Sequence, residues 1–207
     1  MRARMPQGFA AGLALAAAML ATVPPAAAAQ GDLASDTNLD QFYPGQDDGP
    51  DGWSLAESDH TAPPSARSTT PPGCSFQTLF PAEGSRRAVL PSGSVLSVQL
   101  LRAQKDGAQR DVRTVQSWAE RCASFTALGG GGTTGKNWLR VEPADAPSAK
   151  AVSYLVSAQS PFVPDELELA GTVRGALILV SQTDPGDDDS AADVYRAIAA
   201  KINDWRG

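Results

Sequence analysis

The stretch from Asp111 to Phe125, DVRTVQSWAERCASF, constrains this chain more than any other, because it joins an apolar stripe to one of the two cysteines. At about 100° per residue, Val112, Val115, Trp118, Ala119, Cys122 and Phe125 gather on one side, while Arg113, Gln116, Ser117 and Glu120 fall opposite. The spacing predicts a helix with one buried face. Cys122 lies inside that face, and Cys74 stands well upstream in PPGCSF. The helix is therefore both a core element and a candidate cross-link point.

The redox setting follows from the first 29 residues, which read as an export signal. Arg2 and Arg4 form a positive start, Phe9 to Val23 an apolar run, and Pro24 to Ala29 a small-residue cleavage zone. The run falls short of the roughly 20 residues a membrane span needs, and Pro24-Pro25 interrupts any extension, so the reading after cleavage is no stable membrane insertion. Two cysteines in an exported chain make one disulfide, Cys74 to Cys122, and no C-x-x-C spacing supports a reactive thiol pair. With the signal and its two arginines removed, 15 basic residues face 23 acidic ones, a net charge of −8. Such a surface lacks the positive field that nucleic acid or an anionic membrane requires.

The rest reads as one domain. Residues 30–38 are small and polar, a flexible lead-in, and the domain starts near Leu39 and runs to residue 207. Trp53 and Leu55 suggest a short first strand, Cys74 to Phe80 a short helix, and Arg86 to Leu90 a further strand. Ser94 to Arg102, Lys136 to Glu142 and Ala151 to Gln159 alternate as strands, the last of them half-buried. Thr172 to Ser181 holds a nearly continuous apolar run and reads as one central strand covered on both faces. Ser190 opens a last helix with Val194, Ile198, Ile202 and Trp205 as its core stripe. The expected fold is α+β, a twisted antiparallel sheet of about five strands packed by two main helices, with one disulfide.

Little in the sequence dictates a reaction. Gly130 to Lys136 satisfies G-x-x-x-x-G-K, but Asn137 replaces the Ser or Thr that would hold magnesium, and a strand follows where a helix is needed. His60, the single histidine, sits in the Pro- and Ser-rich stretch SDHTAPPS, which supplies neither packing nor a second carboxylate for a triad base. One histidine and a bonded cysteine pair leave no zinc site, and the acidic loops around Asp47 and Asp187 lack the D-x-D-x-D-G spacing of a calcium loop. No catalytic residue, metal or cofactor is assigned. Trp138 and Tyr154 on facing strands, with Arg174 at a sheet rim or turned inward, are the residues of a candidate ligand cleft.

Several features then fit one pattern: Gly52-Trp53, Pro72-Gly73-Cys74 leading a short helix, Arg121-Cys122 late in a helix, and Gly171-Thr-Val-Arg-Gly175 opening a terminal strand-helix pair. The chain from Leu39 to Trp205 resembles the extracellular sensor domain of PknH-type mycobacterial receptor Ser/Thr kinases and exported actinobacterial proteins that carry such a domain alone. It departs in having one cysteine pair where the kinase sensor has two, and no ligand residue carries over. A resemblance to PsbP-like exported proteins fits the element order nearly as well. The kinase-sensor likeness implies an exported, non-catalytic module of the cell envelope that binds a small molecule, a cell-wall fragment or an envelope protein. The alternatives are a secreted hydrolase using carboxylates, or a purely structural envelope accessory protein.

Overall fold

Period-two alternation through the middle of the chain becomes a continuous sheet. In the structure, a computed structural model, residues 31–56, 68–80, 85–103, 107–128, 135–187 and 189–206 are described. The export signal, the His60 segment and the loop at residues 129–134 lie outside them. Among the described residues there are nine strands: β1 (Ser54–Leu55), β2 (Thr69–Thr70), β3 (Arg86–Val89), β4 (Val95–Arg102), β5 (Ser124–Leu128), β6 (Lys136–Ala144), β7 (Ala151–Ala158), β8 (Glu166–Val173) and β9 (Ala176–Thr183). Two α-helices join them, α1 (Ala108–Arg121) and α2 (Ser190–Asp204). The strands form one sheet in the order β1-β3-β4-β9-β8-β7-β6-β5-β2, with every pair antiparallel.

Nine strands replace the expected five or so. The unforeseen ones are β2, β5 and β8. The sequence pattern carries the helix on to Phe125, within β5, but the helix stops at Arg121 with Cys122 as its cap. Phe125 then points from β5 onto the same core as Val115, Trp118 and Cys122, so the stripe reading found the right neighbours on the wrong element. The run from Thr172 to Ser181 is not one strand but a hairpin. Arg174 and Gly175 take φ of 46° and 76°, the two-residue turn with positive φ at both positions that matches strand twist, and Val173 pairs with Ala176.

The sheet separates two cores. On one face α1 crosses β7, β8 and β9 on its way from β4 to the far side, burying Val115, Trp118 and Cys122 against Phe125, Leu139, Val156, Ala170, Leu177 and Leu179. On the other, α2 lays Val194, Ile198 and Ile202 over β8 and β9, against Leu169, Ile178 and Val180. Each such side chain contributes about 1.5–3 kcal/mol on full burial. Ala176 to Val180 is buried throughout, as a strand covered on both faces must be.

The cross-link is present: Cys74 and Cys122 are bonded, with Cα atoms 5.5 Å apart. It holds a single 3₁₀ turn, Phe76–Thr78, against α1, where the Trp118 indole N–H donates to the Cys74 carbonyl (3.3 Å) and Phe76 packs edge-on to Trp118 at 5.3 Å.

The packed chain also begins earlier than Leu39. Leu33 is buried, and its N–H donates to the Arg174 carbonyl at 2.8 Å. Phe42 meets Trp205 edge-on at 5.7 Å, and Lys201 reaches both Asp48 and the Tyr43 carbonyl, so residues 39–48 pack on α2.

Candidate ligand groove

The three residues proposed for a cleft are not brought together. Trp138 sits on β6 with its side chain on the sheet face away from α1, 57% exposed. Tyr154 points to the α1 face, where its ring lies 6.2 Å from Trp118, and burial pushes its phenol above the usual range. Arg174 occupies the β8–β9 turn. The period of two separates the first pair: Tyr154 faces Pro143 across the β6–β7 ladder, an odd number of residues from Trp138.

Arg174 has a defined task. Its Nε donates to the Gly31 carbonyl, and its Nη1 to the carbonyls of Ile202 and Trp205, each at 2.8 Å. Carbonyls at the end of a helix have no intrahelical partner and carry the negative end of its dipole. Arg174 therefore closes α2 and ties down the start of the described chain.

The same turn borders the largest concavity among those described, an open groove of about 850 Å³. Its walls are the outer flank of α2 (Tyr195, Arg196, Ala199, Ala200, Asn203), the β6–β7 loop from Pro147 to Lys150, and the β8–β9 hairpin end from Thr172 to Arg174. Alanine at 199 and 200 leaves the helix wall shallow. Tyr195 is buried, and its hydroxyl lies 3.5 Å from that of Ser148 at the β6–β7 loop. Burial holds the Tyr195 phenol above its ordinary pKa, with the Ser148 hydrogen bond opposing, so it stays a neutral donor and acceptor at physiological pH. Cationic side chains from Lys150, Arg174, Arg196 and Arg206 outnumber the acids Asp32 and Asp204.

Of these, sequence reasoning had named Arg174 alone. Tyr195 follows Val194 in the core stripe, and its position beside Ala191 and Ile198 on a helical face was the available signal. Lys150 and Arg206 lie in connections, where no periodicity marks them.

A second, smaller pocket lies under the 3₁₀ turn held by the disulfide. Register places Ser97, Ser181, Glu168 and Tyr154 in one row across β4, β9, β8 and β7. Glu168 is 1% exposed, accepts from the Ser181 hydroxyl, and receives the Gln77 amide at 3.4 Å. Glu166 and Glu168 both border this pocket, whose interior is about 20 Å³. That is room for roughly one water and far too small for a sugar ring. Among the described residues no cluster of His, Cys, Asp or Glu is arranged to hold a metal, and no helix is long and apolar enough to cross a membrane.

A nine-stranded antiparallel sheet with one helix on each face and a groove beside the terminal helix defines an α+β module without an evident catalytic constellation among the described residues. The fold is that of the extracellular domain of PknH from Mycobacterium tuberculosis: the two superpose with a TM-score of 0.62 over 80% of this chain and 94% of that one, at 10% sequence identity. An uncharacterised Mycobacterium smegmatis protein aligns with a TM-score of 0.42 at 14% identity, over 79% of this chain and 94% of its own. No protein-family model matches the chain, and no curated protein matches its sequence.

Proposed function

We propose that this chain is an extracytoplasmic, non-catalytic binding module of the cell envelope, built like a kinase sensor domain, which takes its ligand in the groove beside α2. The groove itself carries the reading: about 850 Å³ lies within the range of small-ligand sites, with polar groups converging from three separate elements. The likeness of fold to a kinase extracellular domain supports it, as do the disulfide and the signal-like first 29 residues, which fit an oxidising compartment. On the hydrolase alternative, Glu166 and Glu168 border a pocket of about 20 Å³ where no sugar fits, which leaves Asp32 with Asp204 in the groove and Asp165 with Asp184 in an open hollow as the carboxylate pairs it would need.

A photoreactive residue placed at Ala200, on the groove wall, is compared in the native envelope with one at Trp138, an exposed position on β6 outside the groove lining. Adducts of discrete mass from position 200 and not from 138 are the expected result. Equal labelling at both positions would remove the groove from the reading, and turnover abolished by a single polar-to-Ala change in the groove would overturn the non-catalytic assignment.

A further inference from the structure

We infer that the groove binds an anionic group, a carboxylate or a phosphate, borne on a small polar ligand. The inference rests on the reading of the groove as the ligand site and adds the chemical class.

The chain as a whole is acidic, with 17 basic residues against 23 acidic ones. The groove reverses that balance, with four cations against two acids along its lining, or against three when Asp193, which pairs with Arg196 at 2.6 Å, is counted. The four cations differ in how they are engaged. Arg174 is held by three backbone carbonyls, and Arg196 by Asp193. Lys150, in the β6–β7 loop, and Arg206, just beyond α2, have no side-chain partner among the described residues. Two cations from separate elements, neither paired among the described residues, share one concave surface and concentrate positive potential in a molecule that is otherwise negative.

The surrounding groups fit an anion with a polar body. Ser148 and Tyr195 present hydroxyls at the groove, and Asn203 an amide. Hydroxyls and an amide donate to anion oxygens as readily as they accept from a ligand's own hydroxyls. Carboxylate and phosphate share this recognition chemistry. A carboxylate would come from a peptide or an acidic sugar, a phosphate from a headgroup or a polyol phosphate.

The test uses the purified full chain and backbone amide shifts, with succinate as the carboxylate probe, inorganic phosphate as the second, and glucose as the neutral control. Saturable shifts at Ser148, Lys150 and Arg206 with at least one anion and none with glucose are expected, and the tighter anion identifies the source. Replacing the unengaged pair, Lys150→Ala with Arg206→Ala, should weaken anion binding about tenfold, as loss of exposed charge-assisted contacts implies. Both sites are exposed, so the variant should retain its circular dichroism spectrum and melting temperature. Saturable glucose shifts without an anion response, or an adventitious ion only, indicated by anion affinity unchanged in the double variant, would overturn the anionic class and leave the groove in place. The groove reading fails separately, when position 200 captures nothing from the envelope.

Discussion

Gly171 lies directly beneath Tyr195: a Cβ placed on the glycine would stand 2.4 Å from the tyrosine hydroxyl. The ring reaches the groove because β8 carries no side chain at this point. Gly171→Ala should cost about 1–3 kcal/mol by overpacking, read as a lower denaturant midpoint. In the same chain Tyr195→Ala removes the obstacle, so the double variant should lose less than the sum of the two singles. Additive losses would show that the contact is slack.

The bond between Cys74 and Cys122 closes a sequence separation of 48. Replacing both cysteines by alanine should remove about 4 kcal/mol of stability on the chain-entropy model, measured by urea unfolding. Intact mass with and without reduction checks the bond itself, and two free thiols in protein purified without reductant would contradict it.

Arg174 combines a positive φ with three carbonyl contacts. Arg174→Ala keeps the backbone strain and loses the contacts, an expected loss of about 2 kcal/mol. Arg174→Gly also loses them but relieves a left-handed residue, which returns about 1 kcal/mol. Thermal unfolding should therefore rank native above glycine above alanine. A glycine variant as stable as the native chain would mean that the cap contributes little beyond offsetting its own strain.

All three tyrosines, Tyr43, Tyr154 and Tyr195, have phenols raised above 10.0, with burial the largest cause in each. The unfolded chain ionises them through pH 10 while the folded chain still holds the protons, so unfolding releases protons there. Their contribution is fully present below pH 10 and is lost as pH rises through the folded values. Stability measured by denaturant should fall on going from neutral to strongly alkaline solution, and Tyr195→Phe should reduce the slope. An unchanged slope would place the alkaline sensitivity elsewhere.

Much of the scaffold was legible. The stripe of Val115, Trp118, Ala119 and Cys122 is buried as its spacing requires, and Leu96 and Val98 point inward from β4 as their alternation indicates. The last helix keeps its expected stripe, with Val194, Ile198 and Ile202 buried. The disulfide joins the anticipated elements. The hairpin at Arg174-Gly175 escaped notice because apolar residues continue through it, and because Arg is an unusual first residue for a turn that usually begins with Asn, Asp or Gly. Strand β5 was missed because a helical stripe and a strand following at once can share one core, as Phe125 does.

What the sequence determined by itself were the local periods, the cysteine count and the charge balance, and these yield a two-helix antiparallel α+β chain with one cross-link. Tertiary structure alone decided the candidate site. Trp138 and Tyr154 are separated by the side of the sheet each faces, which depends on register, and Arg174 is taken up by carbonyls far away in the chain. The groove arises where a loop, a hairpin end and a helix flank converge, with Lys150 and Tyr195 supplied by parts that share no periodic signal. Period records which way a side chain faces within its own element, whereas a concave surface depends on how elements distant in sequence are set against one another.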